Sequence, residues 1–254
     1  MNSRGSIFSG MPPVTKNLLI INFIVWLAMF VLPSKIGTNL ESLGGLHYWG
    51  ASDFNPVQLL TYMFMHSTGG FAHIFFNMFT LWMFGMTLER TLGSARFLFY
   101  YVACGIGAAL VQEVVWMLTW ESTLVPLFAN AAHIDFPEAR EVLNSPAMDS
   151  QLKQYLNIFV TIGASGAIYG ILLAFGMIYP NVPLYLFFVP IPIKAKWMVI
   201  GMIVIELLIG LSEAAGRSDG VAHFAHLGGM IFGFFMIWYW KKKGTISTGG
   251  YGGY

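Results

Sequence analysis

The sequence predicts an all-α membrane protein whose core is a bundle of six transmembrane helices, and three observations predict it. The chain of 254 residues is 56% hydrophobic and only 10% charged, against about 25% charged in ordinary soluble domains. Near-continuous apolar runs recur at about 17–33, 71–88, 97–119, 158–179, 197–212 and 222–240, each close to the ~20 residues that cross a bilayer as a helix. The basic residues are also unevenly placed. Threading six spans puts Arg4, Lys16, Arg90, Arg96, Lys194, Lys196, Lys241, Lys242 and Lys243 on one side and Lys35, Arg140, Lys153 and Arg217 on the other, nine against four of the 13. Positive residues concentrate on the cytoplasmic side, so both termini are expected there.

The first run follows a short polar head, residues 1–16, with no small-residue cleavage site and soluble chain behind it. It reads as a retained anchor, not a removed signal peptide, and the head is too short and too poor in Arg for a mitochondrial transit peptide. A net charge of +1 leaves no basic excess for nucleic acid. The single cysteine, Cys104, lies mid-span, which excludes an internal disulfide framework and suggests a buried structural thiol.

One domain is expected over 17–240, with two elaborations. Segment 34–70 mixes aromatics, Gly and Pro without a clean apolar length and reads as a loop at the outer interface. Segment 120–155 holds five of the twelve acidic residues and reads as an extramembrane outer loop with one short amphipathic helix near 136–144. The tail, 241–254, is cytoplasmic in this reading; beyond the lysines it is Gly-rich and expected to be disordered.

Polar side chains at membrane depth are costly, so each is a functional candidate. They are His73 and Asn77 on the second span, Gln112 and Glu113 on the third, Ser165 on the fourth, Glu206 on the fifth, and His223 and His226 on the sixth. Singly, each has a structural reading. Ser165 stands among small residues, with Gly166 and Gly170 forming a GxxxG that brings helices close; Gly229 and Gly233 form another. His226 could be a core histidine, and His73 and Asn77, spaced i and i+4, could be interhelical glue.

Together they fit amide hydrolysis, which needs a nucleophile, a base and donors aimed at the developing oxyanion. Ser165 would stand near a helix N-terminus, where unsatisfied N–H groups favour negative charge. Gly163 and Gly166 clear space for a substrate backbone, and Tyr169 is one turn on. Zinc-protease chemistry requires HExxH, yet Tyr48, Ser67, Ile74, Ile134, Phe224 and Leu227 follow the six histidines. An aspartyl mechanism would need two intramembrane Asp residues, and Asp53, Asp135, Asp149 and Asp219 all fall in loops. No cofactor or metal is called for.

GASGAIYG at 163–170, AHLGGMIFG at 225–233 and HIFFN at 73–77 resemble the GxSGxxxG, AHxxGxxxG and HxxxN motifs of the rhomboid family, in the same order and on the same spans. The resemblance covers about 17–240. It implies a six-helix fold, a water-filled cavity opening to the non-cytoplasmic side, and a Ser–His dyad cutting other membrane proteins near or within a transmembrane segment. Residue by residue, it implies Ser165 as nucleophile and His226 as base, with His73, Asn77 and the Ser165 backbone N–H as the oxyanion hole. It implies Tyr169 as the ring stacked on the imidazole, Gly229 and Gly233 as close contacts between the fourth and sixth helices, and structural parts for His66, Glu89 and Gly93. Transmembrane substrates and the bilayer are the expected partners, and the bacterial inner membrane the expected location.

Two departures stand out: Gln58 lies in a stretch where many relatives carry a Trp-Arg pair, and segment 120–155 is longer than in minimal relatives. Because the sixth span carries no carboxylate, His226 is expected to be oriented by packing and by Tyr169. Residues 213–221 resemble the mobile cap of the family, with the fifth span as lateral substrate entry. Two rival readings use the same residues. One is a catalytically silent relative that retains membrane clients; the other is a solute transporter with Glu113, Glu206 and the histidines as its pathway.

Overall fold

The structure, a computed structural model, describes residues 10–37, 39–185, 191–214 and 221–246. The expectations for most of the cap loop, most of the N-terminal head and the Gly-rich tail fall on residues outside these. Among the described residues, four helices are long and apolar enough to cross a membrane: Pro13–Lys35, Phe71–Leu92, Ser94–Ala132 and Ala195–Ser212. The serine helix, Ser165–Ile178, has 14 residues. The histidine helix, His223–Lys242, has 20, with two histidines and three glycines diluting its apolar character.

Local chemistry sets the boundaries. Pro12 and Pro13 open the first helix, where a missing N–H costs nothing. Its first-turn donors find Glu89 instead: the Val14 and Thr15 N–H groups and the Thr15 and Ser94 hydroxyls all donate to that buried carboxylate, at 2.7–2.9 Å. Glu89 therefore fastens the first helix to the second and third. Gly93, at φ +80°, forms the turn between Phe71–Leu92 and Ser94–Ala132 in a backbone region that suits glycine. Phe71–Leu92 carries one π-helical turn over Leu81–Gly85.

Two boundaries differ from those read in the sequence. The third helix does not stop near 119 but runs on to Ala132, 39 residues in all, so the first third of segment 120–155 is helix, not loop. Periodicity could not place its end, because the polar residues past 120 are as compatible with helix as with loop. Asp135 then caps Phe136–Leu143 by accepting from the Glu138 N–H at 2.8 Å, and Ala139 and Leu143 of this amphipathic helix are buried. The fourth run does not begin at 158 as a helix. Val160–Thr161 is extended and pairs antiparallel with Leu46–His47, and the helix starts only at Ser165.

That pairing ties the 34–70 segment to the serine helix. Gln58 organises the segment: its buried side chain accepts from the His47 and Asn55 N–H groups and donates to the Leu43 and Asp53 carbonyls, at 2.9–3.2 Å. An uncharged amide thus supplies four hydrogen bonds to the irregular backbone.

The centre of the bundle is where the serine, histidine and third helices meet, and missing side chains set their separation. A Cβ added at Gly229 would lie 1.9 Å from the Gly166 carbonyl oxygen, and one at Gly166 would lie 2.5 Å from Ala108 Cβ. Gly170 faces Cys104, 2.6 Å from where its Cβ would be. Gly233, expected against the serine helix, instead admits Tyr100 of the third helix, whose hydroxyl would sit 2.3 Å from an added Cβ and donates to the Gly170 carbonyl at 2.6 Å. The ammonium of Lys241 donates to the Met177 carbonyl at 2.6 Å, closing the last turn of the serine helix.

Gly229→Ala should force the serine and histidine helices apart. Overpacking typically costs about 1–3 kcal/mol, and a loss of that size is expected in thermal or denaturant unfolding. Gly201→Ala, where nothing lies within 4 Å of the added Cβ, should change stability by under about 0.5 kcal/mol. Equal stabilities of the two variants would contradict this account of the packing.

Candidate active site

Ser165 opens its helix, with Ala164 as the residue before it, so the N–H groups of its first turn have no intrahelical acceptor. His226 lies one turn into the histidine helix. The Gly166–Gly229 contact brings these two starts together, and His226 Nε2 stands 2.8 Å from Ser165 Oγ. The Tyr169 ring stacks on the imidazole, centroids 4.1 Å apart and planes 5° from parallel. The serine helix delivers Ser165 and Tyr169 to a cavity of about 490 Å³, which His73, Phe76, Asn77 and Met202 also line.

Gly163 shapes the approach to the serine. Its φ is +130°, a region L side chains rarely adopt, and its N–H donates to the Tyr62 carbonyl at 2.9 Å. An added Cβ would lie 2.8 Å from His73 Nε2 and 3.7 Å from Ser165 Oγ, so His73 already fills the space beside this glycine. His73 Nδ1 accepts from the Ser67 N–H at 3.3 Å. A neutral imidazole accepting at Nδ1 carries its proton on Nε2, which makes the nitrogen beside Gly163 a donor. Asn77, one turn on, donates to the His73 carbonyl at 2.9 Å and lines the same cavity.

The expectation that His226 lacks a carboxylate partner is wrong. The acid comes from the fifth run instead of the sixth. Glu206, on the helix Ala195–Ala214, holds Oε2 2.9 Å from His226 Nδ1 and 2.7 Å from His223 Nδ1, while Tyr169 donates its hydroxyl to Oε1. The sequence carried one signal, a lone acid within an apolar span, but spacing along the chain says nothing about which helix it faces. His66 is also fully buried, its ring 5.1 Å from that of His73. It lies before the second helix, and burial holds its pKa well below the usual histidine value, at about 3.

Glu206, His223 and His226 are the three side chains able to hold a cation among the described residues, with ligating atoms within 4.8 Å of one another. Their N···O separations of 2.7 and 2.9 Å are those of hydrogen bonds. Two ligands on a tetrahedral zinc at its usual ~2.0–2.1 Å bond length stand about 3.3 Å apart, so hydrogen bonding accounts for the cluster.

Comparison with known proteins points one way. The Rhomboid domain family profile matches residues 53–243. The chain is similar to Rhomboid protease AarA of Providencia stuartii, 27% identical over 247 residues, which cover 92% of this chain and 74% of that one. It is 27% identical over 188 residues to Rhomboid protein 1, mitochondrial, of Saccharomyces cerevisiae, covering 74% of this chain and 43% of that one. With RHOMBOID-like protein 6, mitochondrial, of Arabidopsis thaliana, it shares 24% identity over 207 residues, 81% of this chain and 50% of that one. The chain thus spans half or less of the length of the two mitochondrial relatives.

Gly163→Ala tests the geometry around the serine directly. The methyl group requires a strained backbone and collides with His73, so labelling of Ser165 by a fluorophosphonate probe is expected to slow by at least about tenfold, less than the roughly 10²–10³ that losing a whole oxyanion donor costs a serine hydrolase. Circular dichroism should remain unchanged. Labelling at the native rate would show that the left-handed turn and the seat of His73 do not matter to the hydroxyl.

Proposed function

This chain belongs to the rhomboid family and is a multi-pass membrane protein; from that premise we propose that it is an intramembrane serine endopeptidase, cutting transmembrane or membrane-proximal segments of other membrane proteins with Ser165 as nucleophile and His226 as base. One observation carries the reading: His226 Nε2 lies 2.8 Å from Ser165 Oγ, at hydrogen-bonding distance, and Ser165 lines a cavity.

The proposed chemistry follows from the contacts. Ser165 Oγ attacks the scissile carbonyl carbon as its proton passes to His226 Nε2. The oxyanion is held by the Ser165 N–H at the helix start, by His73 Nε2 and by the Asn77 side chain. Collapse breaks the C–N bond, with the proton going to the leaving amine and an acyl ester left on Ser165. Water then attacks the acyl carbon as its proton passes to the imidazole, and the bond to Ser165 Oγ breaks as that oxygen takes the proton back, releasing the second product as a carboxylic acid.

The lengths of the helices support the proposed depth of the site. A helix of 14 residues spans about 21 Å at 1.5 Å per residue, less than the ~30 Å hydrocarbon core. With its other end at the far interface, Ser165 starts below the membrane surface. Non-helical backbone at such depth is tolerated where it lines an aqueous cavity, which suits the stretch up to Ala164. In this reading the serine and histidine helices complete six crossings with the four long ones. The catalytic domain spans 17–240, and the 120–155 elaboration lies outside the membrane. The basic-residue bias supports cytoplasmic termini, and a bacterial inner membrane is the proposed location.

Ser165→Ala and His226→Ala should each abolish cleavage of a model transmembrane substrate in proteoliposomes while leaving the protein folded. Because the pair acts as one unit, the double variant should be no slower than either single; turnover above a few per cent of native in the serine variant, or additive losses, would defeat the proposal. Orientation has its own test. Cysteine tags within 120–155 should react with an impermeant maleimide on intact cells and tags after Lys243 should not, and the reverse pattern would refute cytoplasmic termini.

A further inference from the structure

The proposed reading of Ser165 and His226 leaves a question that the buried cluster around Glu206 answers. An imidazole can take the serine proton only if Nε2 is bare, and something must select that tautomer. We infer that Glu206 is the positioning residue for His226, so that the site is a serine–histidine–glutamate array assembled from three helices; this rests on the dyad reading and adds its third member.

The argument begins with the inventory of donors. An ionised carboxylate has no proton to give. Its Oε1 accepts the Tyr169 hydroxyl, and its Oε2 lies within 2.7 and 2.9 Å of the Nδ1 atoms of His223 and His226. Those contacts are hydrogen bonds only if both Nδ1 atoms carry protons. A neutral His226 protonated on Nδ1 has its lone pair on Nε2, and that nitrogen faces Ser165 Oγ at 2.8 Å. The carboxylate therefore selects the tautomer that can act as a base.

Charge points the same way. When the O–H bond of Ser165 breaks, an N–H bond forms at Nε2 and Oγ bonds to the carbonyl carbon, leaving an imidazolium. Glu206 stays ionised throughout, its negative charge 2.9 Å from Nδ1 of that cation. Glu206 and His226 are both buried, and at a buried position such a charge favours the cation. Orientation is fixed as well, because Tyr169 stacks on the ring and simultaneously bonds the carboxylate. Among the described residues, the ionisable groups around His226 are Glu206 from the fifth helix, Tyr169 from the serine helix, His223 from its own helix and His73 from the second helix.

The carboxylate also links three helices, so a test must separate positioning from packing. Two measurements on the full chain do so. In protein labelled with ¹⁵N-histidine, the His226 ring signals, assigned by their loss in His226→Gln, should show Nδ1 protonated and Nε2 bare at mildly alkaline pH. The opposite tautomer overturns the inference without any change at position 206. In Glu206→Gln, kcat on the transmembrane substrate should fall at least about tenfold, the buried acid of soluble triads being worth about 10⁴, with KM within about threefold. The acid limb of kcat/KM, followed over about pH 5–9 around the ordinary histidine range, should move to lower pH because the imidazolium has lost its counter-charge. A native profile overturns the inference. So does a loss of kcat with an unmoved acid limb, which would assign Glu206 to packing alone. If the Gln variant does not fold, the tautomer measurement decides. If the native protein neither cleaves nor labels, the dyad reading fails, and the tautomer still judges Glu206 independently.

Discussion

The separation of the serine and histidine helices is the constraint from which the rest follows. Gly166 and Gly229 let the two backbones approach until the space for a single Cβ disappears. Ser165 immediately precedes one of these glycines and His226 lies three residues before the other, so this close backbone approach sits beside the hydroxyl–imidazole contact. In lipid there is no hydrophobic drive to press helices together, and small residues that permit dense van der Waals contact take its place. Tyr100 extends the same seam, its hydroxyl entering the notch at Gly233 and bonding Gly170.

Buried polar groups form a second layer of order on that seam. A polar group in a dry interior is costly unless its partners are supplied, and three side chains here gather several donors or acceptors each. Glu89 collects four donors from the start of the first helix and from Ser94. Gln58 makes four bonds within the loop that pairs with the approach to Ser165. Glu206 joins Tyr169, His223 and His226. Glu89 and Glu206 tie together helices far apart in the chain, whereas Gln58 orders a single loop whose Leu46–His47 strand pairs with Val160–Thr161 ahead of the serine helix.

Elaboration is confined to one end. The third helix continues to Ala132 and the amphipathic helix Phe136–Leu143 folds back on it, with Arg140 and Glu121 2.6 Å apart at the surface. Cys104 and Ala108, which meet Gly170 and Gly166 of the serine helix, lie earlier on the same long helix, well before this end.

The sequence by itself determined that the chain is a helical membrane protein, because an apolar run of spanning length admits few other structures in lipid. It also determined the family, through motifs whose residues lie within one or two turns of each other: HIFFN, GASGAIYG and AHLGGMIFG are local patterns, and local spacing is what a sequence displays. The amphipathic helix near 136–144 was legible for the same reason, from Asp135, Pro137 and the alternation that buries Ala139 and Leu143. Only the tertiary structure decided what meets what across helices. It placed the carboxylate of Glu206 on His226, where the sequence offered an acid on a different span with no rotational phase to aim it. It put Gly233 against Tyr100 instead of the serine helix, and gave Gln58 its four partners. It also shortened the fourth run, because Val160 and Thr161 pair with Leu46 and His47, segments more than a hundred residues apart whose hydrogen bonds leave no mark in hydropathy. Composition and period fix which segments are buried helices; contact between them depends on rotation, tilt and approach, which arise only when all the helices pack at once.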